Sequence, residues 1–200
     1  MANYALLLAA GLSRRMGGES KLIRKFGEAP IVRRAAENLL SGGVDGLFVV
    51  TGRGASKIRA ALEALPITFV ENPNPEAGQA SSIVAGVRAL PPDAETVLIA
   101  LGDMPKVSPR TVRLLLTAHG VSKKGLTLPL ICGERGHPAL LTLPKYREQL
   151  LALTGDVGAR SIFIEHEDDL LEVEAEDPGI LLDIDTEDEL NELNRRLDLE

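Results

Sequence analysis

A chain of 200 residues with 44 % hydrophobic and 26 % charged side chains is long enough for one sizeable core and short for two full domains. Its net charge of −7 offers no general attraction to a nucleic-acid backbone, which argues against a DNA or RNA partner. No apolar run is long enough to cross a bilayer, and the single cysteine, Cys132, leaves no internal disulfide to form.

The first apolar run, residues 4–9, is apolar at nearly every position and reads as a strand covered on both faces. It lacks the basic prefix of a signal peptide and soon meets Gly11, so the expectation is a cytoplasmic protein. A helix over 31–40 follows, then a strand at 47–51, a helix at 55–65 and a strand at 67–70. Next come a helix at 81–90, a strand at 96–101 and a helix at 109–119. Strand and helix in alternation predict an α/β fold, a Rossmann-like three-layer sandwich around a mostly parallel central sheet. Past residue 120 the rhythm loosens. Strands at 126–131 and 139–143 are joined by a turn at 133–138, and helices at 145–152 and 159–165 precede a strand at 170–173. The last helix, 186–197, opens with Thr186 and Glu189 spaced as a capping box. One domain over residues 1–198 is the economical reading, with Leu199-Glu200 set aside as a possible tag remnant.

Ligands of such sheets sit beyond the carboxyl ends of the strands, so the segments following each strand carry the chemistry. After the first strand, Ala9, Ala10 and Gly11 allow close approach of backbone to a ligand. Arg14, Arg15 and Lys21 then supply positive charge suited to phosphate. The loop is neither a Walker A motif nor a Gly-x-Gly-x-x-Gly fingerprint, and an ordinary turn with solvated arginines is the alternative. After the fourth strand stands Asp103. A carboxylate beside a phosphate site can hold Mg²⁺, or it can cap a turn. Asp183 and Asp185 alternate as on a strand, and one of them is a candidate second metal ligand.

Gly78, Ser81 and Ser82 open a helix, where the hydroxyls either meet a nucleotide or serve as N-cap. His137, between a glycine and a proline, stands apart from His119 and His166, which read as structural. Gly155, Asp156, Gly158 and Arg160 make either a lid or a plain turn. Cys132 reads as a buried small hydrophobe or an inert thiol. No Ser/His/Asp nucleophile set and no zinc site are evident.

Taken together, the motifs LAAGLSRRMG with Lys21, NPNPEAGQASSI, LGDMP, RGHPALL, GDVGAR and DIDTEDEL occur in the order found in MobA-like NTP transferases. The resemblance covers residues 4–193 and lies nearest the molybdenum cofactor cytidylyltransferase branch. It implies the nucleotide-diphospho-sugar transferase type of sandwich and transfer of CMP from CTP to a phosphorylated pterin, with release of pyrophosphate. By that resemblance Arg15, Lys21 and Asp103 are catalytic, with Arg15 and Lys21 on the triphosphate. Ala9, Ala10 and Gly11 line the base and ribose, and Gly78, Ser81 and Ser82 contact the nucleoside. Asp103, helped by Asp185, holds Mg²⁺, while His137, Asp156 and Arg160 face the acceptor. A transient contact with a molybdoenzyme or its chaperone is implied, with no membrane partner. Ala10 matches cytidylyl-transferring members, since the guanylyl-transferring relatives carry a second glycine there. Residues 25–29, and Gln79-Ala80 in place of serines, depart from the pattern. Rival readings are a GTP-, sugar-phosphate- or polyol-phosphate-dependent transferase, and a non-catalytic nucleotide-binding accessory protein.

Overall fold

Successive side chains of β1 (Asn3–Ala9) point to opposite faces of the sheet, and both faces are covered. Ala5, Leu7 and Ala9 join one core and Leu6 joins the other. A strand buried on both faces needs a layer of helices on each side, which gives the sandwich its three layers. The computed structural model describes residues 2–11, 20–52 and 55–197.

In chain order, β1 is followed by the small hairpin β2 (Lys25–Phe26) and β3 (Ala29–Pro30), then α1 (Ile31–Ser41) and β4 (Gly46–Thr51). Next are α2 (Ser56–Ala61), β5 (Ile67–Glu71), α3 (Gln79–Ala89), β6 (Thr96–Leu101) and α4 (Pro109–Val121). The second half contributes β7 (Leu126–Ile131), β8 (Glu134–Arg135), β9 (Ala139–Thr142), α5 (Leu143–Leu151), α6 (Arg160–Glu165), β10 (Leu170–Glu174) and α7 (Glu187–Leu197). One core takes Ile31 and Val32 of α1, Ile58 of α2, Val112 of α4 and Leu190 of α7. The other takes Ile83 of α3, Tyr146 of α5 and Phe163 of α6.

The sheet order is β10-β7-β9-β6-β1-β4-β5, with β8 paired to β7 alone. Strands β5, β4, β1 and β6 run parallel, β9 lies antiparallel between β6 and β7, and β10 is parallel to β7. From β1 the chain moves outward through β4 to β5, then returns to place β6 on the other side of β1. The order therefore reverses between β1 and β6, and the crevice beyond their carboxyl ends is where such sheets bind ligands. Among the described residues no helix is long and apolar enough to cross a membrane.

Four local expectations are corrected. Helix α2 stops at Ala61 rather than 65: Ala64 adopts a left-handed φ of 66°, and Leu65 precedes Pro66, which disfavours helix before it. Helix α3 begins at Gln79 with Gly78 as N-cap, so Ser81 and Ser82 lie in its first turn and cap nothing. Residues 182–186 form no strand, because they follow a short turn of 3₁₀ helix at Pro178–Leu181 and run irregularly into α7. Cys132 is exposed, not buried. With Gly133 it makes the two-residue loop between β7 and β8, and both residues have positive φ (51° and 84°), as a type I′ turn requires.

Candidate active site

The tips of β1 and β6 meet closely because residue 102 is glycine. Gly102 donates its N–H to the Leu8 carbonyl at 3.0 Å, and a Cβ there would stand 2.9 Å from that same oxygen. The next residue, Asp103, is thereby held over the end of β1. Facing it is a single turn of 3₁₀ helix, Lys21–Ile23, whose Leu22 is buried in the core beneath Gly102. That anchor places the ammonium of Lys21 2.8 Å from Asp103 Oδ2 and 2.6 Å from Asp185 Oδ1.

Asp185 reaches this point from the far end of the chain, 164 residues from Lys21. Ile184 donates its backbone N–H to the Asp103 carbonyl at 3.0 Å, and its side chain is fully buried. The capping box then fixes the backbone. Glu189 accepts from the N–H groups of Asp185 (2.9 Å) and Thr186 (2.8 Å), and Thr186 Oγ1 accepts from the Glu189 N–H. Arg24 grips Glu187 with two bonds of 2.7 Å, tying the start of α7 to the turn after Lys21.

Burial pulls the Lys21 pKa down, but the hydrogen bonds and charges of Asp103 and Asp185 outweigh it and hold the pKa above its usual value. Lys21 is therefore a fixed cation between two carboxylates. Asp103 Oδ1 is buried and has no hydrogen-bond partner. An orphaned carboxylate oxygen of this kind is a fitting ligand for a hard cation. Among the described residues no cluster of three or more His, Cys, Asp or Glu forms a metal cage. A divalent ion here would complete its shell with water and ligand oxygens, which is how magnesium is usually held.

Ala9 and Ala10 are buried at the end of β1, and Gly11 is exposed there. Arg14 and Arg15 lie outside the described residues. At the tip of β5, the buried Asn72 donates from Nδ2 to Ser81 Oγ (2.8 Å) and Ser82 Oγ (3.0 Å), locking the first turn of α3 to the sheet. Ser81 in turn donates its hydroxyl to the Gly78 carbonyl at 2.7 Å. The segment between α5 and α6 is docked on that same turn. Ala80 donates its N–H to Gly155 O at 3.0 Å, and Asp156 lies against Gly78, whose φ of 92° suits only glycine.

Beside the carboxylates opens a cleft of about 460 Å³. Ile83, Leu128, Phe163 and Ile164 give it apolar walls, and Arg135, His137, Arg160 and Gln79 give it polar ones. His137 links cleft to carboxylates. Its backbone N–H donates to Ile180 O (2.9 Å), and its imidazole Nδ1 is buried without a partner. Burial pushes its imidazole pKa down, and the charges of Asp103 and Asp183 only partly oppose this, so the ring is neutral near pH 7. Arg160 opens α6 on the cleft wall, whereas Asp156 is not part of the lining and faces Gly78 instead. Arg135 opens the RGHPALL motif and Gln79 marks a departure from the family pattern, but neither they nor Phe163 were assigned to the site from the sequence. Arg135 is the residue two before His137, and its guanidinium is held by Glu167 (2.8 Å) and Glu172 (2.5 Å).

Comparison with known proteins matches residues 5–170 to the MobA-like NTP transferase domain. The chain is 30 % identical over 198 residues to a nicotine blue oxidoreductase of Paenarthrobacter nicotinovorans, covering 94 % of each chain. It is also 30 % identical over 185 residues to the molybdenum cofactor cytidylyltransferase of Escherichia coli (strain K12), covering 92 % of this chain and 91 % of that one. A nucleotidyl transferase from Methanothermobacter thermautotroptrophicus superposes with a TM-score of 0.83 at 23 % identity, over 99 % of both chains. With the family model spanning most of its length and two full-length relatives at this identity, the chain belongs to the MobA-like NTP transferase family.

Proposed function

We propose that the chain is a nucleotidyltransferase that passes CMP from CTP to a phosphorylated pterin, with release of pyrophosphate. The observation that carries this reading is the meeting of Lys21 with Asp103 and Asp185 where the strand order reverses, beside a cleft large enough for a small acceptor. An oxygen of the acceptor's terminal phosphate forms a bond to the α-phosphorus. The bond from that phosphorus to the bridging oxygen breaks, and its electron pair leaves with pyrophosphate. A phosphate dianion is already nucleophilic near neutral pH, so no general base is needed, and the work of the protein is positioning and charge neutralisation.

In this reading Ala9, Ala10 and Gly11 bring the backbone against the nucleotide, while Arg15 and Lys21 take the triphosphate. Gly78, Ser81 and Ser82 meet the nucleoside. Because Ser81 already donates to Gly78 O, its contact is as an acceptor. Asp103 and Asp185 hold Mg²⁺, which when bound offsets charge on the phosphoryl oxygens. His137 and Arg160 face the acceptor, and the apolar walls of the cleft suit a flat heterocycle while Arg160 suits its phosphate. Asp156 acts at the floor of the nucleoside site, through Gly78. An acceptor of this class would be passed on to a molybdoenzyme or its chaperone by transient contact.

Pyrophosphate release tests the reading, with CTP, GTP, ATP and UTP each paired with a phosphorylated pterin, a sugar phosphate and a polyol phosphate in magnesium. CTP with the pterin should give the highest kcat/KM, and silence with every pair would remove the transferase reading. The Paenarthrobacter relative favours a second reading, an oxidoreductase. That reading predicts substrate-dependent consumption of an added reductant with no NTP present. The same protein sample separates the two.

A further inference from the structure

Lys21 donates to Asp103 and Asp185 at once, so its ammonium stands where the two carboxylates converge. Its side chain is 15 % exposed, against 22 % and 42 % for the two carboxylates, so water screens these contacts less than at an open surface. Charge-assisted bonds of 2.6–2.8 Å are strong ones. A divalent ion taking the oxygens that Lys21 holds must displace the ammonium, and one bound through Asp103 Oδ1 must sit against a like charge at close range. Nucleotide phosphates change that balance, because they offer Lys21 new anionic acceptors and offer the metal further oxygen ligands.

We infer that Lys21 is a resident cation that closes the Asp103–Asp185 pair against divalent metal until a nucleotide's phosphates draw it away, so that metal and nucleotide enter together. The opening step rests on the nucleotidyltransferase reading, whereas the closure rests only on the geometry of the three side chains. Metal affinity and nucleotide affinity are then reciprocally linked. A protein built this way does not hold its metal between turnovers.

The test is Mn²⁺ binding, read from the paramagnetic resonance signal of the free aqueous ion, on the full chain without acceptor. Wild type, Lys21→Met, Lys21→Gln and the double variant Lys21→Met/Asp103→Asn are compared, each checked for fold by circular dichroism. Lys21→Gln keeps a hydrogen-bond donor, should the Met variant fold poorly. Without nucleotide, both single variants should bind Mn²⁺ about tenfold or more tighter than wild type, and the double variant should lose the gain. With CTP, wild type should tighten by about tenfold or more, and the single variants by no more than a few-fold. Equal or weaker Mn²⁺ binding in both single variants without nucleotide would overturn the closure. A gain in the variants with no response of wild type to CTP would uphold the closure and overturn the opening step, along with the nucleotide reading.

Discussion

Ile184 donates its backbone N–H to the carbonyl of Asp103 at 3.0 Å, and this bond brings the approach to the last helix against the tip of β6. Through it Asp185 becomes the neighbour of a lysine from the start of the chain. The side chain of Ile184 is fully buried and anchors this segment, and the next residue, Asp185, meets Lys21. A metal-binding carboxylate pair, in the proposed function, is thus held by core packing and not by loop conformation alone.

Arg160 offers the cleft a guanidinium at the start of α6. Replacing it with alanine should raise the acceptor KM about tenfold, the worth of one charge-assisted contact, and leave the CTP KM unchanged. Steady-state kinetics with each substrate varied in turn reads this split. A change confined to the CTP KM would put the acceptor elsewhere.

Two glycines should respond oppositely to alanine. Gly78 has a φ of 92° and lies against Gly155 and Asp156, so Gly78→Ala should cost about 1–3 kcal/mol of stability, measured by urea unfolding. Gly120, inside α4 with open space around it, should gain up to about 1 kcal/mol as alanine. The Gly78 variant should also raise the CTP KM, since the first turn of α3 must shift to make room.

His119 is buried, with Nδ1 2.8 Å from Thr127 Oγ1 and Nε2 3.0 Å from Thr142 Oγ1. Burial pushes its pKa below the usual 6.5, and the charge of Asp169 only partly opposes the shift. The unfolded chain then binds the proton more readily than the folded one. Stability from this group is full above about pH 6.5 and is lost as pH falls through the lower folded value. The urea midpoint should fall from pH 7 to pH 5, and His119→Gln should make the fall shallower. His137, shifted the same way, accounts for part of the slope that remains. An identical slope in His119→Gln would assign the effect to other groups.

The frame was legible because it rests on local signals. Strands buried on both faces appear as unbroken apolar runs, and the capping box at Thr186 and Glu189 is a spacing rule with a physical cause. Family resemblance carried the candidate site, since Lys21, Asp103 and Asp185 lie far apart in sequence and only packing brings them together. Between Asp183 and Asp185 the sequence left the choice open, and it is Asp185 whose carboxylate meets Lys21, at 2.6 Å. The hairpin turn at Cys132-Gly133 went unread because a cysteine is an unusual occupant of a left-handed position. Arg135 stands in the RGHPALL motif but was passed over for His137, and Phe163 went unread because it lies in a helix with no motif around it, where only packing brings it to the cleft wall.

The claim that Lys21, Asp103 and Asp185 form a nucleotidyl-transfer centre is tested most directly by Asp103→Asn, a change of charge with little change of shape. Pyrophosphate release from CTP and the phosphorylated acceptor should fall about 10³-fold or more in kcat, with the far-ultraviolet dichroism of the variant unchanged. A folded Asp103→Asn protein that turns over near the wild-type rate would contradict the account.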